Sequence, residues 1–117
     1  MSTAIGFSAL VQSFFTRHLI QHKQVSPRTI TAYRDTFRLL FTFIEGRTGR
    51  SPTNLDITDL DSPTILAFLD HLEADRSNHA RSRNVRLSAI RSFFRFASVR
   101  DVGNIAVASR VLAIPNK

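Results

Sequence analysis

The chain has 117 residues, ten of them Phe and none Cys, which allows one hydrophobic core and excludes disulfides, thiolate metal ligands and cysteine nucleophiles. No apolar run approaches the roughly 20 residues of a membrane-spanning helix, and the lack of Cys favours a reducing, cytoplasmic location. Sixteen Lys and Arg residues against nine Asp and Glu give a formal net charge of +7, which indicates a polyanionic partner. Because no apolar run is long enough to cross a bilayer, no membrane partner is expected.

Two helices are predicted in the first part of the chain. Residues 5–23 carry apolar side chains at the three- and four-residue spacing of one helical face. A second helix is predicted to begin at Ser26 and Pro27, because an N-cap residue followed by proline is a helix start signal. Its apolar stripe ends near Gly46 and Gly49.

A loop is predicted next, over residues 47–62, which are rich in Gly, Pro, Thr and Asp. Ser62 and Pro63 repeat the cap-and-proline start, so a short third helix is expected to end near Asp75. A polar turn is predicted at residues 76–79.

The fourth helix is predicted to end near Arg100, with an inward stripe of Leu87, Ile90, Phe93, Phe94 and Ala97. Residues 102–111 suggest a last short helix, and residues 112–117 resemble a linker. No alternating strand pattern occurs in the sequence. The predicted fold is therefore all-α, a single bundle of four to five helices.

Charge is segregated along the sequence. Residues 76–100 contain seven Arg and no acid, whereas residues 51–75 contain six acids and no Lys or Arg. We therefore expect one basic and one acidic face. Nearly all the basic residues are Arg, which suits bidentate contacts to phosphate and guanine.

The fourth helix carries the residue types that read a major groove. On its outer side and around its first turns it offers Arg, Asn and Ser side chains, namely Arg81, Arg83, Asn84, Arg86, Ser88, Arg91 and Arg95. The second helix makes a similar offer through Arg28, Thr29, Thr31, Arg34 and Arg38, and its first-turn amides could hold a phosphate. The alternatives are a solvated charged surface, or a basic helix on an acidic protein or membrane surface.

Side chains for catalysis or metal binding are not arranged as known sites require. His18 and His22 are four residues apart, but no third ligand is spaced to complete a metal site. Tyr33 lies in the second apolar stripe, which favours a half-buried aromatic over a nucleophile. No catalytic residue, metal or cofactor is expected in this chain.

Two segments together resemble a known family. Residues 26–37, SPRTITAYRDTF, resemble the second helix of the core-binding domain of tyrosine recombinases, the phage-integrase family. Residues 86–97, RLSAIRSFFRFA, look like the closing helix of the same domain. The order and separation of these segments make the match stronger than either segment alone.

The resemblance implies a SAM-like core-binding domain at residues 1–111 that forms half of a C-shaped clamp on double-stranded DNA, with possible self-association on DNA. It implies DNA contacts from the second helix, with Tyr33 as a phosphate contact, and from the fourth helix. Residues 112–117 would begin a linker to a C-terminal catalytic domain, the other expected partner. The sequence departs from the family after the fourth helix, where Asn104 is followed by Ile105 rather than by proline.

Two other functions remain compatible with the residues. A free-standing helical DNA-binding regulator would carry the same charges. A helical protein-interaction module could instead use the acidic and basic faces in head-to-tail contacts.

Overall fold

A computed structural model describes residues 6–75 and 80–117 of the chain. The first helix, α1, is α-type over Phe7–Ser13 and continues as a π-type helix over Phe14–His22. The other helices are α2 (Pro27–Thr48), α3 (Ser62–Asp75), α4 (Ala80–Arg100) and α5 (Ile105–Leu112). The described residues contain no strand, which confirms the all-α prediction. The predicted helix start at Ile5 and the predicted turn at 76–79 lie outside these residues.

Helix caps explain where α2 begins and ends. Ser26 is its N-cap, and the Ser26 Oγ accepts a hydrogen bond from the Thr29 amide at 3.2 Å. The helix runs through Gly46 and ends at Gly49, which has a positive φ of 75° and donates its N–H to the Glu45 carbonyl. Glycine tolerates this left-handed conformation without a Cβ penalty. The predicted start is confirmed, but the predicted loop begins too early, because Arg47 and Thr48 are still helical.

The segment between α2 and α3 is more ordered than the predicted loop. It contains two short 3₁₀ turns, Pro52–Asn54 and Ile57–Leu60, which bury Leu55, Ile57 and Leu60 in the core. Asp61, rather than the predicted Ser62, caps α3, because the Asp61 Oδ1 accepts the Thr64 amide at 3.0 Å.

Aromatic side chains join three helices at the centre of the bundle. Phe14 from α1, Phe37 from α2 and Phe93 from α4 are buried, and the Phe93 ring centroid lies 5.5 Å from Phe14 and 5.4 Å from Phe37. Both pairs are close to edge-to-face, the favoured geometry for aromatic pairs. Every residue of the predicted inward stripe of α4 is buried.

Residues 113–117, which follow α5, fold back onto the bundle. Ala108 and Val111 are the buried residues on the inner face of α5, and Ile114, which follows the helix, is only 4% exposed. The last residues, which the sequence predicted to start a linker, therefore lie against α3 and α4 through contacts described below. Within the described residues, no helix is long and apolar enough to cross a bilayer.

Candidate nucleic-acid interface

One face of α4 is exposed to solvent along most of its length, and of its residues only Ser92 is half-buried. It is formed by residues three and four apart, and we call it the outward face of α4: Arg81, Val85, Ser88, Ser92, Arg95 and Val99. Its small neutral centre lies between Arg81 and Arg95, which are about 21 Å apart along the helix at 1.5 Å per residue. A major groove is about 12 Å wide, so cations at both ends can reach the two bordering phosphate strands while the centre enters the groove.

The outer side of α2 presents a second row of cations. Arg28, Thr31, Arg34 and Arg38 are exposed, and no described acid forms an ion pair with the three arginines. The Thr31 hydroxyl donates to the Pro27 carbonyl at 3.0 Å, which fixes its rotamer. The Arg34 guanidinium lies 5.9 Å from the Phe15 ring centroid, within the range of a cation–π contact.

The first turn of α2 offers less to a phosphate than the sequence suggested. Pro27 has no N–H, the Thr29 amide is taken by Ser26, and the Ile30 amide donates to the Ser26 carbonyl. Among the described groups, only the Arg28 amide of that turn remains available. Thr29 is half-buried, and its hydroxyl lies 3.0 Å from the Ser26 Oγ.

Arg86 connects α4 to α2. Its guanidinium donates to the Asp35 carboxylate at 3.0 Å and to the Thr36 Oγ1 at 3.3 Å. A shallow groove of about 290 Å³ between the two helices is lined by residues of both, including Asp35, Arg81 and Arg86. The two predicted DNA-contact helices therefore lie side by side, and Arg86 fixes their spacing.

Three residues of α4 that were predicted to contact DNA form hydrogen bonds within the protein instead. Arg83, Asn84 and Arg91 were expected on the solvent side, but Arg83 is only 5% exposed and the other two are half-buried. All three donate hydrogen bonds to residues 114–117. The expectation that they face solvent is wrong, because the last residues of the chain cover them.

Tyr33 packs as a core-flanking aromatic. It is half-buried, and its ring is nearly parallel to the Phe14 ring at a centroid distance of 6.4 Å. This is the environment that the apolar stripe predicted. The phosphate contact implied by the family resemblance stays a prediction.

The structure adds cations that the sequence analysis did not select. A groove of about 440 Å³ between the end of α1 and the second half of α4 is lined by His18, Lys23, Ser92, Arg95, Phe96, Val99 and Arg100, none of which is acidic. The Arg100 guanidinium lies 4.4 Å from the centroid of the Phe96 ring, which orients it. Arg100 is the last of the seven Arg in residues 76–100, but nothing in the sequence predicts that Lys23 lines the same groove.

The acidic stretch before α4 is used largely within the fold. Asp56 and Asp59 form a reciprocal capping box, and Asp61 caps α3. Asp59 also pairs with Arg50 at 3.0 Å. In the described part of the chain, no group of three His, Asp or Glu side chains is placed to hold a metal ion.

The five-helix bundle with no strand in its described residues belongs to the class of small SAM-like helical domains. A family model for the phage integrase N-terminal SAM-like domain matches residues 13–101. The chain therefore belongs to the phage integrase family and corresponds to its N-terminal SAM-like domain, as the two sequence segments indicated.

Similar curated proteins agree with this assignment. The chain is 46% identical over 117 residues to the putative integrase/recombinase y4rC and 42% identical over 117 residues to y4rD, both of Sinorhizobium fredii (strain NBRC 101917 / NGR234). It is 31% identical over 106 residues to the tyrosine recombinase XerC of Chlorobaculum parvum (strain DSM 263 / NCIMB 8327). These alignments cover 100%, 100% and 86% of the chain but only 35%, 42% and 29% of the respective relatives. No solved structure matches the chain.

Proposed function

We propose that this chain is the DNA-binding domain of a tyrosine recombinase, and that it grips duplex DNA in the cytoplasm while a separate domain cleaves and rejoins the strands. The observation that carries the proposal is the pairing of two cation-bearing helix faces, on α2 and α4, in a member of the integrase family. The catalytic side chains of the reaction would then lie outside this chain.

In the proposed complex, the outward face of α4 enters the major groove. Ser88 reaches base edges or phosphate, Val85 provides an apolar surface for a thymine methyl group, and Arg81 and Arg95 contact phosphates on the two sides. The cations Lys23 and Arg100 extend the contact beyond Arg95.

Helix α2 grips the neighbouring backbone in this proposal. Its contacts are the exposed Arg28, Thr31, Arg34 and Arg38, with Thr29 and Tyr33 as secondary contacts near the start of the helix. Arg86 is half-buried and serves both as the connection between the helices and as a flanking cation. These contacts are mostly to phosphate, so we expect the domain alone to bind DNA with modest sequence preference.

The test is binding of a labelled 30-base-pair duplex over a range of salt concentrations. The variant Arg34→Ala with Arg95→Ala removes one cation from each proposed helix. We expect weaker binding. The slope of the logarithm of the binding constant against the logarithm of salt concentration should fall in magnitude by about two, because each lost phosphate contact lowers it by about one.

A matched control removes the same charge elsewhere. Arg47 and Arg50 lie at the other end of α2, beside Asp59 and Asp61, so Arg47→Ala with Arg50→Ala should leave the slope nearly unchanged. Equal effects of both double variants would show that net charge alone drives binding. Absence of binding at low salt would contradict the proposed function.

A further inference from the structure

The last four residues of the chain are held by a polar cluster on α3 and α4. We call residues 114–117 the tail. The Arg91 guanidinium donates to the Ile114 carbonyl and to the Asn116 Oδ1, and the Arg83 guanidinium donates to the Pro115 carbonyl at 3.1 Å. Asn84 makes a reciprocal pair with Lys117, donating to its carbonyl at 2.8 Å and accepting its amide at 3.0 Å.

Charged contacts through Glu73 join the residues of this cluster to the tail. Glu73 on α3 approaches the Arg83 Nε at 3.2 Å with one carboxylate oxygen, and its other oxygen accepts the Lys117 Nζ at 2.9 Å. A buried guanidinium is stable only when its charge and its N–H groups find partners. Because the Pro115 carbonyl accepts from this guanidinium, the tail supplies one of the hydrogen-bond partners of Arg83.

The tail lies at the border of the outward face of α4. At about 100° per residue, Asn84 and Arg91 are about 40° to 60° around the helix from Ser88, on its adjoining side. Ile114 is buried at this border, while Asn116 and Lys117 are exposed. The tail therefore runs beside the proposed DNA-contact surface without covering Ser88 or Arg95.

We propose that Glu73, Arg83, Asn84 and Arg91 form a docking site for the chain's own tail, which fixes where and in which direction the polypeptide leaves the bundle. These are positioning residues and not DNA contacts. The consequence for recombination rests on the proposed function: a following catalytic domain would start from a fixed point at the edge of the DNA-contact surface.

The experiment measures tail order and DNA binding on the same variants. Asn84→Ala and Arg91→Ala are preferred because both residues are half-buried, whereas Arg83→Ala would leave Glu73 without its buried partner. The ¹⁵N heteronuclear NOE of residues 116 and 117 reports order. We expect this NOE to be high in the unmodified chain and to fall to the level of a free terminus in both variants. Thermal unfolding of the variants checks that the bundle stays folded.

DNA affinity separates a positioning role from a contact role. We expect Asn84→Ala and Arg91→Ala to keep affinity for the labelled duplex within about twofold, because one good base contact is worth about 1–3 kcal/mol and its loss would exceed that range. The matched control, Ser88→Ala with Arg95→Ala on the same helix, should weaken binding and leave the NOE unchanged.

Two results would overturn the docking site. One is a low NOE for the tail of the parent chain. The other is a tenfold or greater loss of DNA affinity in Arg91→Ala while the tail stays ordered. If no variant and no parent binds DNA, the proposed function fails, but the NOE comparison still decides whether Asn84 and Arg91 hold the tail.

Discussion

Arginine side chains in this protein occupy three different environments. Those on the outer sides of α2 and α4, such as Arg34 and Arg95, face solvent without a described acidic partner. Arg86 bridges two helices, and Arg83 is buried against Glu73 and the tail. The same residue type therefore faces solvent, joins two helices, or contacts the last residues of the chain, depending on where the fold places it.

The sequence identified which polar residue types these helices carry but could not distinguish their surroundings. Asn84 and Arg91 share the helical side of Ser88, so their spacing predicted exposure. What covers them lies 23 to 33 residues further along the chain, as the contacts to Ile114 and Lys117 show. Helical periodicity carries no information about such a distant contact.

Arg86 should stabilise the fold through its contacts with Asp35 and Thr36. We expect Arg86→Ala to lower the free energy of unfolding by about 1 kcal/mol, because the ion pair with Asp35 is partly exposed and the hydrogen bond to Thr36 is half-buried. Urea unfolding of Arg86→Ala, Asp35→Ala and the double variant forms a thermodynamic cycle. Additive losses would mean that the two side chains do not interact in solution.

Helix α1 changes from α-type to π-type geometry along its length, and this change affects which of its residues are buried. Its first half is α-type, but from Phe14 onward the hydrogen bonds are of the π type, which bring residues five apart close together. Phe14 and Leu19 are five apart and both fully inside the core, while Phe15 is only half-buried. The three- and four-residue pattern predicted a regular α-helix, because π-type geometry leaves no distinct spacing signal in a short apolar stripe.

The aromatic junction of α1, α2 and α4 should contribute strongly to the stability of the bundle. We expect Phe93→Ala to lower the free energy of unfolding by about 3–5 kcal/mol, because it removes a ring that contacts Phe14 and Phe37 and leaves a cavity. Phe43→Ala is the control, because Phe43 is only partly buried and packs at the edge of the core. Chemical denaturation that gave equal losses for the two variants would contradict a central role for this junction.

For the molecule as a whole, the net charge of +7 matters through its distribution. Three acids of the acidic stretch cap helical turns, so that stretch is partly consumed by the fold. The cations with no described acidic partner on α2 and α4, together with Lys23 and Arg100, remain available for phosphate. This distribution supports the proposed DNA partner over a protein partner that would use both charged faces.

DNA binding by this domain should depend steeply on salt concentration. If five to seven cations neutralise phosphates, DNA affinity should fall roughly a thousandfold between 50 and 200 mM salt, since each contact releases about one counterion. Fluorescence anisotropy at four or five salt concentrations measures the slope. A slope near zero would rule out the proposed phosphate contacts even if some binding remained.

Arg86 and the packed phenylalanines hold the two proposed DNA-contact helices, α2 and α4, together in the free domain. If the DNA-bound domain keeps this arrangement, the proposed contact surface is already formed before any duplex arrives. Little conformational entropy then has to be lost on association, and no rearrangement of the bundle has to precede it. Encounter with DNA should accordingly follow single-exponential kinetics, with an association rate constant set by electrostatic attraction and diffusion, and sequence selection should be expressed in the dissociation rate.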